Sequence, residues 1–220
     1  MDIAGKLCQL KSELPKNVRL LAVSKFYSES IIMEAYKAGQ RIFGENRVQE
    51  LLPKYEHLPE DIEWHFIGHL QANKVKYIIP FIYTIQSIDS LKLAEIVNRE
   101  AGKCNRKLRV LLQIHIAQEE QKFGFSYDEA EDLLKAGAWR SMTNLDLSGL
   151  MGMATLTDNA AKIHNEFHGL HCFFQRIKND YFANSSSFNE LSMGMSDDYP
   201  IAIEEGSTMI RIGSKLFGPR

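Results

Sequence analysis

Short apolar runs alternate with amphipathic stretches from one end of the chain to the other. Residues 20–24, 41–44, 63–67, 84–86, 108–114, 146–149, 188–191 and 209–212 carry the apolar and β-branched character of strands. Between them apolar positions recur at helical spacing, as in Ile31/Ile32/Ala35, Leu91/Ala94/Val97, Ala130/Leu133/Leu134 and Ile163/Phe167/Leu170/Phe174. The runs at 20–23 and 108–114 show little strict alternation, which is how a strand buried on both faces reads, so the sheet is predicted to be parallel. Eight strands interleaved with helices and no Ser/Pro-rich break imply an α/β chain in one domain over 1–220. A closed (β/α)₈ TIM barrel fits this better than an open doubly wound sheet. Only seven residues, Ser214–Arg220, lie beyond Gly213 after the last predicted strand, too few for a full helix. Ile3, Leu7, Leu10 and Leu14 have helical spacing, so an N-terminal helix is expected to complete the outer ring.

Composition narrows the field. The 220 residues carry 26 Lys+Arg against 28 Asp+Glu, a net charge of −2, which gives no electrostatic case for nucleic-acid or membrane binding. No apolar run approaches the roughly 18 residues that span a bilayer, and the first residues lack the pattern of a signal peptide. Cys8, Cys104 and Cys172 are odd in number and widely spaced, as expected of reduced thiols in a cytoplasmic protein. No conspicuous exposed apolar face is readable, so a monomer is expected.

The chemistry of a barrel collects where its strands end. Lys25 follows the first predicted strand, Glu45-Asn46 the second and Gly68-His69 the third, with His65 inside that strand. Ser87 follows the fourth, His115 stands near the end of the fifth, and Met151-Gly-Met153 follows the sixth. Ser192-Met-Gly-Met-Ser-Asp-Asp198 follows the seventh, with Asp197 or Asp198 able to cap the next helix, and Gly213-Ser214 follows Arg211 on the eighth. A lysine directly after an apolar strand is either partly desolvated, with a lowered pKa and a nucleophilic amine, or simply points into water. The loops after strands seven and eight expose backbone N–H groups and hydroxyls suited to an anion. A phosphate-bearing aldehyde would use all three features; another phosphorylated metabolite with Lys25 as a point charge remains open. His164, His168 and His171 share a helical face, but Asn165 stands where a zinc protease motif needs Glu, so that face is read as solvated and no metal is expected.

The motifs Val23-Ser-Lys25, Phe43-Gly-Glu-Asn46 with Val48-Gln-Glu50, Trp64-His-Phe-Ile-Gly68 with Leu70-Gln-x-Asn-Lys74, Ser192-Met-Gly-Met-Ser-Asp-Asp198 and Gly206-Ser-Thr-Met-Ile-Arg-Ile-Gly213 with Phe217-Gly218 are together specific. They resemble the pyridoxal-phosphate homeostasis proteins (the YggS-type proline synthetase co-transcribed homologs) from about residue 20 to the end. The resemblance implies a fold-type-III barrel like the alanine racemase N-terminal domain, with Lys25 holding pyridoxal 5′-phosphate (PLP) as an internal Schiff base. It also implies that Ser192, Gly213 and Ser214 take the phosphate, that Arg211 faces the pyridine nitrogen, and that Asn46 sits beside the lysine. Met193, Gly194 and Ile212 complete the expected cofactor loops, and His65 and His69 are read either as flanking the cofactor or as hydrogen-bonded strand histidines. Gln113-Ile-His-Ile-Ala117, followed by Lys122-Phe-Gly124, departs from the commoner pattern, which has Asn where His115 stands.

An arginine at the ring nitrogen disfavours its protonation and weakens the ring as an electron sink. Alanine racemase compensates with a second acid/base tyrosine, placed with help from a C-terminal β-domain for which no room follows Phe217. The expected function is therefore vitamin B6 and amino-acid homeostasis without efficient turnover. Its expected partners are PLP and PLP-dependent apo-enzymes, with an amino-acid racemase of the alanine racemase type as the alternative.

Overall fold

The computed structural model describes residues 2–118 and 123–218. Among these, β1 (Arg19–Val23), β2 (Ile42–Glu45), β3 (Glu63–Phe66), β4 (Thr84–Ile88), β5 (Leu108–Ile114), β6 (Leu145–Gly152), β7 (Glu190–Ser192) and β8 (Met209–Ile212) form a closed barrel in sequence order. Each pairs in parallel with the next, and β8 returns to β1 with Arg19 opposite Met209 and Ala22 opposite Ile212. The helices that connect them are α1 (Ile3–Glu13), α2 (Glu29–Lys37), α3 (Val48–His57), α4 (Val75–Ile78), α5 (Leu91–Lys103), α6 (Tyr127–Ala136), α7 (Ala160–Tyr181), α8 (Tyr199–Glu204) and α9 (Ser214–Phe217).

Local chemistry sets several helix starts. Asp2 accepts the Gly5 N–H at α1, Ser90 caps α5, Asn159 caps α7, and Ser126 with Glu129 forms a reciprocal capping box at α6. α1 buries Ile3, Leu7 and Leu10 and packs against α2 and the short α9, closing the outer ring as its spacing predicts.

Alternation along each strand decides what faces the barrel axis. On β1, Leu20 and Ala22 join the large core beneath the helices, whereas Leu21 and Val23 pack with Met209 in a second, inner cluster. Lys25 continues the inner series. On β8, Ile210 and Ile212 face the helices, while Met209 and Arg211 share the inner parity. On β3, Trp64 and Phe66 face outward and His65 has the inner parity.

Predicted strand ends shift in several places: Glu45 closes β2 and Ser192 closes β7, whereas the sequence reading puts both just past those strands. β6 continues through Met151 to Gly152 where the sequence reading stopped it at 149, because Gly149 is no terminator. At φ 155° it lets β6 approach β7 so closely that a Cβ would stand 1.8 Å from the Glu190 carbonyl oxygen, and the β5–β6 register shifts beside it. Ser87 lies inside β4 and is buried, so it does not follow that strand as expected.

Candidate functional site

At the C-terminal ends of the strands lies a mouth of about 370 Å³, walled by Val23, Lys25, Asn46, Ile67–His69, Gln113, Phe123, Met153, Met195–Asp197, Arg211, Gly213 and Ser214. Lys25 is half-buried in this wall. Phe26 behind it adopts φ 69°, a left-handed conformation that costs a non-glycine residue about 1–2 kcal/mol. The Phe26 N–H donates to the Glu50 carboxylate at 2.9 Å, and Arg47 sits over the Phe26 ring at 5.1 Å. On the other side of Lys25, the buried Lys54 ammonium donates to the Ser24 carbonyl at 2.9 Å and to Glu45 Oε1 at 2.6 Å. The Ser24 hydroxyl donates to that same oxygen at 2.7 Å. Burial pushes the Glu45 carboxyl above its ordinary pKa, with the Lys54 charge opposing. The backbone that carries Lys25 is therefore gripped from both sides, by residues of β2 and α3. The sequence held a signal for this: Val48, Leu51 and Lys54 share one face of α3, and all three are buried.

Asn46 lines the mouth beside Lys25, and its buried Oδ1 accepts no hydrogen bond. Arg211 is buried, donating from Nη1 to Ser192 Oγ and from Nη2 to the Gly152 carbonyl, both at 2.8 Å. Burial draws its pKa down to about 10 against the pull of Asp198, so it remains cationic at neutral pH.

Of the loop residues expected at the site, Gly213 and Ser214 reach the wall. Ser192 points elsewhere: buried, it donates its hydroxyl proton to Gln86 Oε1 at 2.7 Å. Ser196 stands on the wall, and its hydroxyl accepts the Gly213 N–H at 3.3 Å. Met193 and Ile212 are fully buried in the outer core, and Gly194 at φ 94° makes the turn that brings Met195–Asp197 to the mouth. Asp198 occupies the α8 cap position, but its carboxylate accepts from the Met195 N–H instead of capping the helix. The two strand-three histidines separate. His69 lines the mouth, stacked on Phe123 at 3.8 Å with Nδ1 2.8 Å from Asp89. His65 is buried within the barrel below the wall, Nδ1 2.8 Å from Gln86 Nε2, and burial drives its pKa down to about 3. Gln86, which sequence reasoning missed, joins these buried groups.

The His115 N–H donates to the Phe125 carbonyl, and Lys122 lies outside the described residues. His164 and His168 each direct Nδ1 to Glu205 at 2.9 Å, so this face of α7 is tied to the end of α8. Among the described residues no group of three His, Cys, Asp or Glu could hold a metal ion, and no helix is long and apolar enough to cross a membrane.

The profile of the alanine racemase N-terminal domain matches residues 2–220. The pyridoxal phosphate homeostasis protein of Schizosaccharomyces pombe is 40% identical over 208 residues, 93% of this chain and 85% of that one. Its Escherichia coli K12 counterpart is 36% identical over 233 residues, covering 100% and 97%. The structure of PipY from Synechococcus elongatus with PLP bound superposes with a TM-score of 0.89 at 38% identity, covering 98% of this chain and all of that one. Alanine racemase of Clostridium difficile shares the barrel alone, with a TM-score of 0.78 at 15% identity over 56% of its length. The sequence and the barrel together place this chain in the family of pyridoxal phosphate homeostasis proteins, built on the alanine racemase N-terminal domain.

Proposed function

We propose that this chain binds PLP at the barrel mouth and serves vitamin B6 and amino-acid homeostasis, holding the cofactor on Lys25 as a Schiff base and yielding it to apo-enzymes without efficient turnover of its own. The observation that carries the reading is the pairing of a half-buried lysine with a buried arginine across one mouth. PLP-bound PipY, a relative of the same length class at 38% identity, supports the choice of ligand.

The residues suit this cofactor. Lys25 would take the aldehyde, its backbone held by Glu50 and Lys54. The buried Asn46 Oδ1 is an acceptor in want of a donor, which a ring hydroxyl can satisfy. Ser196, Gly213 and Ser214 bring hydroxyls and backbone to the same wall, where they would hold the phosphate. Bound PLP would supply an electrophilic aldehyde and an electron-withdrawing ring. Arg211, with two of its five N–H groups committed to Ser192 and Gly152, would present a donor-only cation to the ring nitrogen. That contact discourages ring protonation, and so favours holding the cofactor over working it.

PLP titrated into the cofactor-stripped protein should give a visible Schiff-base band that Lys25→Ala abolishes. A band of unchanged intensity in the variant would remove Lys25 from this role, and sustained racemisation of any common amino acid would replace carriage with catalysis.

A further inference from the structure

Arg211 stands at the upper end of a line of buried side chains that runs down inside the barrel. Its Nη1 donates to Ser192 Oγ at 2.8 Å, Ser192 donates to Gln86 Oε1 at 2.7 Å, and Gln86 Nε2 donates to His65 Nδ1 at 2.8 Å. The four residues come from β8, β7, β4 and β3, and each is at most 4% exposed. Neither Gln86 nor His65 belongs to the wall of the mouth.

One fact gives every bond its direction. A guanidinium has no acceptor, so Ser192 must accept from Arg211 and give its single proton onward. Gln86 therefore turns its oxygen to Ser192 and its amide nitrogen to His65, with Met209 Sδ taking the second N–H at 3.2 Å. His65 Nδ1 must then accept, which requires a neutral ring carrying its proton on Nε2. The low pKa of His65 agrees: burial, with the charges of Arg19 and Arg109, keeps the ring neutral. Leu21, Val23 and Met209 fill the same interior with apolar atoms, so space-filling alone calls for no polar line. What the line does is anchor one arm of the guanidinium; the Gly152 carbonyl anchors the other.

We infer that Gln86 and His65 are positioning residues for Arg211, fixing the guanidinium at the mouth and, through it, its contact with the ring nitrogen of the bound cofactor. The inference rests on the PLP reading above. It assigns Ser192 to the support of Arg211, leaving the phosphate to Ser196, Gly213 and Ser214.

The test compares holo-protein carrying Gln86→Leu, His65→Leu and His65→Asn. Asparagine keeps an acceptor oxygen near the place of Nδ1; leucine does not. Both leucine variants should retain PLP about tenfold less tightly and shift its visible band, the scale expected when a buried hydrogen bond is broken. His65→Asn should stay close to wild type in both respects. An unshifted band with unchanged retention in the leucine variants overturns the inference, as does a His65→Asn variant as defective as His65→Leu. Nitrogen NMR of His65 in the cofactor-free wild-type chain supplies a measurement independent of how the variants fold. An unprotonated Nδ1 supports the line, and a protonated Nδ1 overturns it. Failure of wild-type protein to take PLP on Lys25 would sink the functional reading instead, and the NMR result would still judge the line of hydrogen bonds.

Discussion

Lys25, Arg211, Gly213 and Ser214 stand out in the sequence because each lies at the end of a strand, inside a short contiguous motif. Gln86 does not stand out, since its partners His65, Ser192 and Met209 come from three other strands and meet it only after closure. The available hint was parity: a polar residue inside a predicted strand has to face something. His65 has a measurable consequence of its own. Its pKa of about 3 in the folded chain lies below the ordinary 6.5, so the folded state binds fewer protons than the unfolded one between those limits. The stabilisation is therefore complete above about pH 6.5 and is lost as pH falls toward 3, at up to about 1.4 kcal/mol per pH unit. Denaturant titrations from pH 7 to 4 should show a shallower acid loss in His65→Asn than in wild type. Parallel acid limbs would mean that His65 is not buried neutral.

The strands and helices were largely legible, and the errors have local causes. Gly149 reads as a strand end because glycine usually punctuates, yet here the missing Cβ is what lets β6 lie against the Glu190 carbonyl and continue. Ser87 is read as following the fourth strand, but β4 runs on to Ile88 and carries it buried. The junction of β1, β2 and α3 shows the same limit. Charge alone argues for solvent, yet Lys54 shares the face of Val48 and Leu51, is buried and clamps the Ser24 carbonyl and the Glu45 carboxylate. Replacing it by Lys54→Met leaves a buried carboxyl without its cation. We expect a loss of about 3–5 kcal/mol near neutral pH by chemical denaturation. The sign with pH is also fixed. Glu45 already has a raised folded pKa, and without Lys54 it rises further, so the variant should lose stability as pH increases from the carboxylate range toward neutral. A pH-independent deficit would contradict the ion-pair account.

At the scale of the whole molecule, the period of eight strands and the apolar face of α1 were enough to anticipate a closed ring. Closure brings Lys25, just past β1, to the same mouth as Arg211 on β8; the two are 186 positions apart in sequence, but β1 and β8 pair from Arg19–Met209 to Ala22–Ile212. It also gives the barrel an interior of two kinds, an apolar cluster around Leu21, Val23 and Met209 and a polar line from Arg211 to His65. The first fills space, and the second orients the cation that would face the ring. On this account the molecule is a rigid holder whose one reactive group sits on a clamped segment. Borohydride reduction of PLP-loaded wild-type protein, followed by peptide mass mapping, tests that claim most directly. The account predicts a single phosphopyridoxyl group on the peptide containing Lys25. Label on a different lysine, or none after loading, would contradict it.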